Sequence, residues 1–326
     1  MTTVRGTVIT GSNNAFTVQE ESGAIRRCGI KGKILKPLKG YYNALAPGDV
    51  VQVEPDPLGP ERGSIFGMEE RRNSFWRWNE KGKAVQAIAA NVDLVVCVTS
   101  PRLPPFRPRF VDRVAILAEL ERIPLLIVLN KSDLGIDGWT GMRLDDYRRI
   151  GYEVAVCSAA TGEGLEELRR RIDGLTSVFV GQSGVGKSSL LNALEPGLKF
   201  RVGEISDKYE RGRHTTTWSA LTVLGDGRTR IVDTPGFRRL AIRGISQETL
   251  AACFPEMRKL AEFCEYGSAC RHVDEPGCRV REAVEFGGVH PDRYESYLRV
   301  REELDRTVEY AKKAGRPRRE YRDEDE

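Results

Sequence analysis

The eight residues that begin at Gly181, GQSGVGKS, have the types and spacing of a phosphate-binding loop. Gly181, Gly186, Lys187 and Ser188 fill every fixed position of the pattern G-x-x-x-x-G-K-[ST]. The strand-like run TSVFV precedes the loop and the helix-like run SSLLNAL follows it, which is the context that this loop requires. Backbone N–H groups can then turn toward phosphate oxygens, while Lys187 reaches the β- and γ-phosphates and Ser188 holds Mg²⁺. The alternative is a glycine-rich turn without a ligand. The expected contact residues are Gly181, Gln182, Ser183, Gly184, Val185, Gly186, Lys187, Ser188 and Ser189.

A second motif, NKSD, could read a guanine base. Asn130, Lys131, Ser132 and Asp133 stand at the end of the apolar run IPLLIVLN, where open α/β sheets bind ligands. The Asp133 carboxylate can accept hydrogen bonds from guanine N1–H and N2–H₂, a donor pair that adenine lacks. Asn130 would brace the loop, and the Lys131 stem would lie along the base. A capped turn is the alternative. Ser158-Ala159, after a later strand, could donate a backbone N–H to guanine O6.

The sequence DTPG, at the end of the strand-like run RIVD, could sense the terminal phosphate. Asp233 would bind Mg²⁺ through water, and the Gly236 N–H would contact the γ-phosphate. Between the two glycine motifs lies RGRHTTTWSA, and one of its threonines should complete the Mg²⁺ shell. We expect Thr216 to do so, with Thr215 as the nearest rival. An ordinary β-rich loop is the alternative reading.

Phe237 follows Gly236, where many GTPases have a glutamine that orients the attacking water. Because a phenylalanine cannot orient water, we expect slow unaided hydrolysis. His214 is the candidate in sequence for the missing polar contact, and a histidine that faces solvent or a partner is an equally good reading.

Four potential metal ligands lie close together near the C-terminus. Cys264, Cys270, His272 and Cys278 offer three thiolates and one imidazole, a full tetrahedral set for structural Zn²⁺ with no open position for catalysis. Chance buried thiols are the alternative.

The sequence pattern divides the chain into three segments, and 326 residues are enough for two or three domains. Residues 1–82 hold short strand patterns broken by turns, which favour a small barrel, with a β-sandwich as the competing shape. Residues 83–244 alternate strands with helices, as in a mostly parallel α/β sheet. Residues 245–326 are mostly helical, with a charged helix from Pro291.

The order of the motifs is reversed, since the base reader precedes the phosphate loop. Strands are placed by pairing and not by chain order, so a cut loop and a new join can leave such a site unchanged. In this circularly permuted order the second switch runs into the C-terminal segment. Sensing of the γ-phosphate could therefore move that segment as a unit.

The composition indicates the cellular compartment of the protein but does not identify a binding partner. Apolar residues at 40 % and charged residues at 30 % fit a folded soluble protein, and the net charge of +4 is small. The seven cysteines fit a reducing cytosol better than a disulfide framework. The start has no basic and apolar pattern of a signal peptide, and the apolar runs are too short for a membrane span, so we expect a cytoplasmic protein without a membrane partner.

Together, NKSD before GQSGVGKS, GRHTTT, DTPGF and the Cys-Cys-His-Cys set followed by REAVEFG resemble the ribosome-small-subunit-dependent GTPase A family over nearly the whole chain. The resemblance implies an OB-fold N-terminal barrel, a permuted P-loop GTPase core and a zinc domain. It further implies GTP hydrolysis stimulated by the small ribosomal subunit during its late maturation. We also expect the protein to be a monomer. Two rivals remain: a GTP-dependent rRNA-binding placeholder with incidental hydrolysis, and a permuted GTPase that serves the large subunit.

Basic and aromatic residues in the first segment fit contact with rRNA, by charge and base stacking. A solvated basic face and rings packed between domains explain them equally well, and the resemblance favours RNA. The residues are Arg26, Arg27, Lys31, Lys33, Lys36, Lys39, Tyr41 and Tyr42, followed by Phe75, Trp76, Arg77 and Trp78.

Overall fold

The computed structural model describes residues 3–12, 14–32, 41–198, 219–237 and 240–313. Within these ranges no helix has both the length and the apolar character needed to cross a lipid bilayer. Several residues singled out by the sequence lie outside the described ranges, and their predictions stay predictions: Lys33, Lys36, Lys39, His214, Thr215 and Thr216.

Five strands near the N-terminus close into a small barrel. Its strands are β1 (Val4–Ser12), β2 (Ala15–Glu20), β3 (Ile25–Ile30), β4 (Val50–Asp56) and β5 (Gly59–Met68). The strand order is β1-β2-β3-β5-β4, with β3 and β5 parallel and the other pairs antiparallel. Alternate side chains point inward, so that Val8, Val18 and Val53 are fully buried. The closed barrel confirms the prediction for this segment over the competing sandwich.

A two-stranded antiparallel hairpin, β6 (Ser74–Asn79) and β7 (Ala84–Ala90), follows the barrel. The Asn43 side chain joins the two units, because it donates to the Ala87 carbonyl and accepts the Ala87 N–H, both at 2.9 Å. The predicted limit after residue 82 falls in the turn of this hairpin and would separate its two strands.

Two rings of the hairpin are packed inside the protein. Phe75 is fully buried and Trp76 nearly so. The Trp76 indole N–H donates to the Glu121 carboxylate at 2.7 Å, and burial raises the pKa of that carboxyl. These two side chains therefore act in packing between units, since a buried ring cannot stack on a base.

Six strands form the central sheet. They are β8 (Leu94–Thr99), β9 (Leu125–Leu129), β10 (Glu153–Val156), β11 (Thr176–Gly181), β12 (Ala220–Val223) and β13 (Arg230–Asp233). The order across the sheet is β10-β9-β8-β11-β13-β12, and every pair is parallel except β12 with β13. The carboxyl ends of β8, β9, β10, β11 and β13 therefore share one edge, although β8 to β10 precede β11 in the chain.

Four helices cover the sheet: α1 (Pro108–Leu120), α2 (Gly138–Arg149), α3 (Leu165–Ile172) and α4 (Lys187–Leu194). Buried residues of α1 and α2 belong to one apolar cluster and those of α3 and α4 to another, so the two pairs cover opposite faces. The predicted alternation of strand and helix is confirmed.

The C-terminal segment is helical, with α5 (Gln247–Ala252), α6 (Pro255–Ala261), α7 (Arg279–Glu285) and α8 (Pro291–Lys313). A buried ionic network fixes it to the sheet. Arg293 of α8 donates to Asp112 of α1 at 2.8 Å and to Glu256 of α6 at 2.7 Å. Ser296 donates to the second Asp112 oxygen at 2.5 Å. Buried charges need such complete pairing, so the network specifies how α6 and α8 dock on α1.

Candidate nucleotide site and metal cluster

The phosphate-loop motif lies between β11 and α4, as its context requires. Gly184 and Gly186 have φ of 84° and 85°, a region that L side chains rarely adopt. A Cβ on Gly186 would also lie 2.5 Å from the Asn130 amide nitrogen. Glycine at this position is thus required both by the turn and by the close approach of the NKSD loop.

Asn130 connects three loops at the sheet edge. Its amide nitrogen donates to the Val185 carbonyl at 3.0 Å, and its amide oxygen accepts the Ala159 N–H at 3.0 Å. The side chain is almost fully buried. Asn130 therefore braces both the phosphate loop and the Ser-Ala loop, in keeping with the bracing role predicted for it. Of the Ser158-Ala159 pair, predicted to offer a backbone N–H to guanine O6, the Ala159 N–H is bonded to Asn130 in this structure.

Lys131 supports the same loops from the other side. Its backbone is left-handed, with φ of 66°. Its ammonium group donates to the Gly184 carbonyl at 2.7 Å and to the Leu103 carbonyl at 2.5 Å. The segment that contains Leu103 carries no motif, and its part in the site was not visible in the sequence.

The Asp133 carboxylate is oriented by the Ser-Ala loop. Ser158 donates its hydroxyl proton to Asp133 at 2.5 Å, and the backbone N–H of Ser132 donates to the Cys157 carbonyl at 3.1 Å. Ser132 also donates its hydroxyl to Glu163 at 2.8 Å. Among the described residues Ser158 is the partner of this carboxylate, which leaves it acceptor positions for two N–H groups.

Two predicted ligands of the phosphates and of Mg²⁺ meet directly. Lys187 begins α4 and is nearly buried, at 8 % exposed, and its ammonium group forms an ion pair with Asp233 at the end of β13. Ser188 follows in the first turn of α4, and Ser189 comes next. These side chains lie at the carboxyl edge of the sheet, beside the NKSD loop.

The DTPG segment packs closely on the phosphate loop. A Cβ on Gly236 would lie 2.9 Å from the Cα of Ser183. The Phe237 N–H donates to the Gly181 carbonyl at 2.9 Å, and the Thr234 hydroxyl donates to the Phe179 carbonyl at 2.7 Å. The Phe237 side chain is 4 % exposed and belongs to the apolar core. The ring is thus part of the packed core and carries no polar group to the sheet edge.

The four predicted zinc ligands come together in one buried cluster. The ligand atoms of Cys264, Cys270, His272 and Cys278 all lie within 4.8 Å of one another. His272 Nδ1 is 3.6 Å from Cys264 Sγ and 3.4 Å from Cys278 Sγ, and the two sulfurs are 4.0 Å apart. A tetrahedron with Zn–S bonds of about 2.3 Å has edges of about 3.8 Å, so this set fits Zn²⁺ through Nδ1. Tyr294 holds the His272 backbone by donating to its carbonyl at 2.7 Å.

Comparison with known proteins identifies relatives that match most of the chain. The family model described as RsgA GTPase matches residues 68–243. A protein of Gemmatimonas aurantiaca named small ribosomal subunit biogenesis GTPase RsgA is 38% identical over 304 residues, covering 93% of this chain and 98% of its own. One of the same name from Moorella thermoacetica is 40% identical over 295 residues, covering 90% and 95%.

Solved structures agree in fold. The crystal structure of YjeQ from Thermotoga maritima superposes with a TM-score of 0.72 at 35% identity and covers 93% of this chain and 99% of its own. That of YloQ, described as a circularly permuted GTPase, gives 0.67 at 28% identity and covers 98% of each.

Proposed function

The chain belongs to the RsgA GTPase family, and on that premise we propose that it is a late maturation factor of the small ribosomal subunit whose nucleotide state controls binding and release. One observation carries the proposal. Asn130 joins the base-reading loop to the phosphate loop at one sheet edge, so the permuted order still builds a single site. Relatives that match nearly the whole chain are named for small-subunit biogenesis.

We infer that GTP and GDP bind across this edge. Asp133 would accept the guanine N–H groups, with Ser158 holding the carboxylate in place. Lys187 would leave Asp233 to contact the β- and γ-phosphates. Mg²⁺ supplies charge neutralisation between the phosphates, and Ser188, Asp233 and, by prediction, Thr216 would surround it.

Hydrolysis by the protein alone should be slow. The Phe237 ring is in the core, so it contributes nothing polar to a water beside the γ-phosphate. Gly236 is placed against Ser183 and can offer its N–H to the phosphate. We therefore expect the full rate when the small subunit is bound, with His214 as the predicted source of a polar contact to the water.

The barrel offers a surface for rRNA. Arg27 and Arg62 are register partners on the parallel strands β3 and β5, and both are exposed. They line an open groove of about 520 Å³. Guanidinium groups in such a groove could contact the phosphates of an RNA backbone. Arg26, Lys31 and Arg62 each pair with a glutamate (Glu20, Glu54 and Glu61), so Arg27 is the strongest of these four candidates.

Turnover with purified subunits tests the proposal. Small subunits should raise the GTP hydrolysis rate, large subunits should not, and Lys187→Ala should abolish the increase. If small subunits leave the rate of GTP hydrolysis unchanged, the proposal of timed release is wrong.

The buried Phe237 also fits a placeholder that binds with GTP and seldom hydrolyses it. That rival predicts binding to small subunits without stimulation. Migration with large subunits on a sucrose gradient, with a non-hydrolysable analogue, would favour the other rival.

The buried Cys₃His cluster would hold one structural Zn²⁺. With no open ligand position, it would stabilise the fold and take no part in the reaction. We propose that the protein works as a monomer in the cytoplasm, in three domains close to the predicted limits, with the hairpin β6–β7 kept as one unit.

A further inference from the structure

The Arg77 guanidinium on β6 lies over the ring of Phe237, with Cζ 6.0 Å from the ring centroid. This contact joins the hairpin to the segment directly after the predicted γ-phosphate sensor. It is within the range of a cation–π interaction.

Arg77 is placed at some energetic cost. It is half-buried, and no carboxylate in the described part of the chain forms an ion pair with it. Burial lowers the pKa of its guanidinium. A partly desolvated charge without an acidic partner is unfavourable unless another group compensates. Here the compensating groups are the Phe237 ring and the Gln86 side chain, whose carbonyl oxygen accepts from Arg77 Nε at 3.1 Å.

The path from Arg77 to the nucleotide is short. The Phe237 N–H is bound to the Gly181 carbonyl of the phosphate loop, and Gly236 lies against Ser183. The Phe237 ring is thus attached to the short backbone segment that holds Gly236 against the phosphate loop.

The path from Arg77 to the barrel is also continuous. Gln86 is buried in β7, and its neighbour Ala87 is bound to Asn43 by two hydrogen bonds of 2.9 Å. A cavity of about 30 Å³ lies where the hairpin, the barrel and the Pro235–Phe237 segment meet.

We propose that Arg77 is a positioning residue for GTP hydrolysis, because it holds Phe237 so that Gly236 faces the γ-phosphate. The same contact couples the nucleotide state of the site to the conformation of the hairpin and the barrel. This inference rests on the proposed position of Gly236 at the γ-phosphate. It assigns to the hairpin a part in the reaction that no motif in its sequence indicates.

Single-turnover hydrolysis without ribosomal subunits tests the proposal, so its outcome is separate from that of subunit stimulation. Arg77→Leu should lower the rate constant about fivefold, while affinity for fluorescent GDP and the melting temperature stay near those of the parent. Arg77→Lys should recover most of the rate, because it keeps a cation over the ring. Lys81→Leu, in the exposed turn of the same hairpin, is the matched control and should match the parent.

A double-mutant cycle with Phe237→Leu gives a second readout. That substitution keeps an apolar side chain but removes the ring, so the double variant with Arg77→Leu should be no slower than the slower single variant. The proposal is overturned if Arg77→Leu hydrolyses at the parent rate, if Arg77→Lys is as slow as Arg77→Leu, or if the two effects add. It is also overturned if GDP affinity falls in step with the rate, since that would indicate a general loss of structure.

Discussion

The side-chain amide of Asn130 donates a hydrogen bond of 3.0 Å to the carbonyl oxygen of Val185, across 55 positions of the chain. The same side chain accepts the N–H of Ala159, so it links three loops that come from separate parts of the sequence. Because the strands before these loops, β9, β10 and β11, are parallel members of one sheet, the order in which the chain visits them does not alter where the loops meet.

Replacement of Asn130 by alanine should weaken nucleotide binding by about 10- to 100-fold, since it leaves the buried Val185 carbonyl and Ala159 N–H without their partner. Titration with fluorescent GDP measures the effect. Asn73→Ala is the matched control, because Asn73 also braces backbone, with bonds of 2.8 and 2.9 Å to Val92, but at the hairpin. Equal losses of GDP affinity in both variants would contradict the role given to Asn130.

Asp133→Asn should lower GTP affinity by about 100-fold or more and favour xanthosine triphosphate, because the amide presents a donor where guanine N–H groups need an acceptor. Competition binding with the two nucleotides checks this. Asp137→Asn, at the N-cap of α2 where Asp137 accepts the Thr140 N–H at 2.9 Å, should leave base preference unchanged. Unaltered GTP binding by Asp133→Asn would remove Asp133 from the base-reading site.

The purified protein should contain about one Zn²⁺ per chain, and Cys278→Ser should lose it and melt at a lower temperature. Elemental analysis and thermal unfolding measure the two effects. Cys253→Ser is the control, since Cys253 is buried outside the cluster, with its thiol bonded to the Thr249 carbonyl. Zinc retained in full by Cys278→Ser would exclude this residue from the ligand set.

Stability should fall as the pH drops from about 7 toward 5, and His290 should account for part of the fall. Burial and the charge of Arg143 lower the pKa of His290, against opposing effects of Asp146, Asp292 and Asp112. The unfolded chain, with a histidine pKa near 6.5, then binds the proton more readily than the folded protein.

His290→Asn keeps an acceptor for the Asp292 N–H, which the His290 ring nitrogen accepts at 3.1 Å, and removes the titration. Its melting temperature should therefore change less than that of the parent between pH 7 and pH 5. Identical pH profiles for the two proteins would show that His290 does not contribute.

The sequence alone predicted the barrel and the strand and helix alternation, which the structure confirms, and it indicated the residues proposed for the nucleotide and zinc sites. These depend on local patterns: alternation in β1 and β2, spacing along α1, and motifs such as GQSGVGKS whose chemistry is set by residue type and spacing. The hairpin limit was harder to place, because β6 and β7 resemble barrel strands until their pairing with each other is known.

The sequence by itself therefore determined which groups are available for chemistry. A ligand requires particular residue types at fixed spacing, and that requirement is visible within a short stretch of chain. Only the tertiary structure decided which distant groups touch. Three such contacts have no local sequence pattern, because each depends on how separate elements pack. They are the hydrogen bond from Lys131 to the Leu103 carbonyl, the cation–π contact of Arg77 with Phe237, and the ion pair of Arg293 with Asp112. Such contacts determine how the site is held and which parts of the protein respond to it.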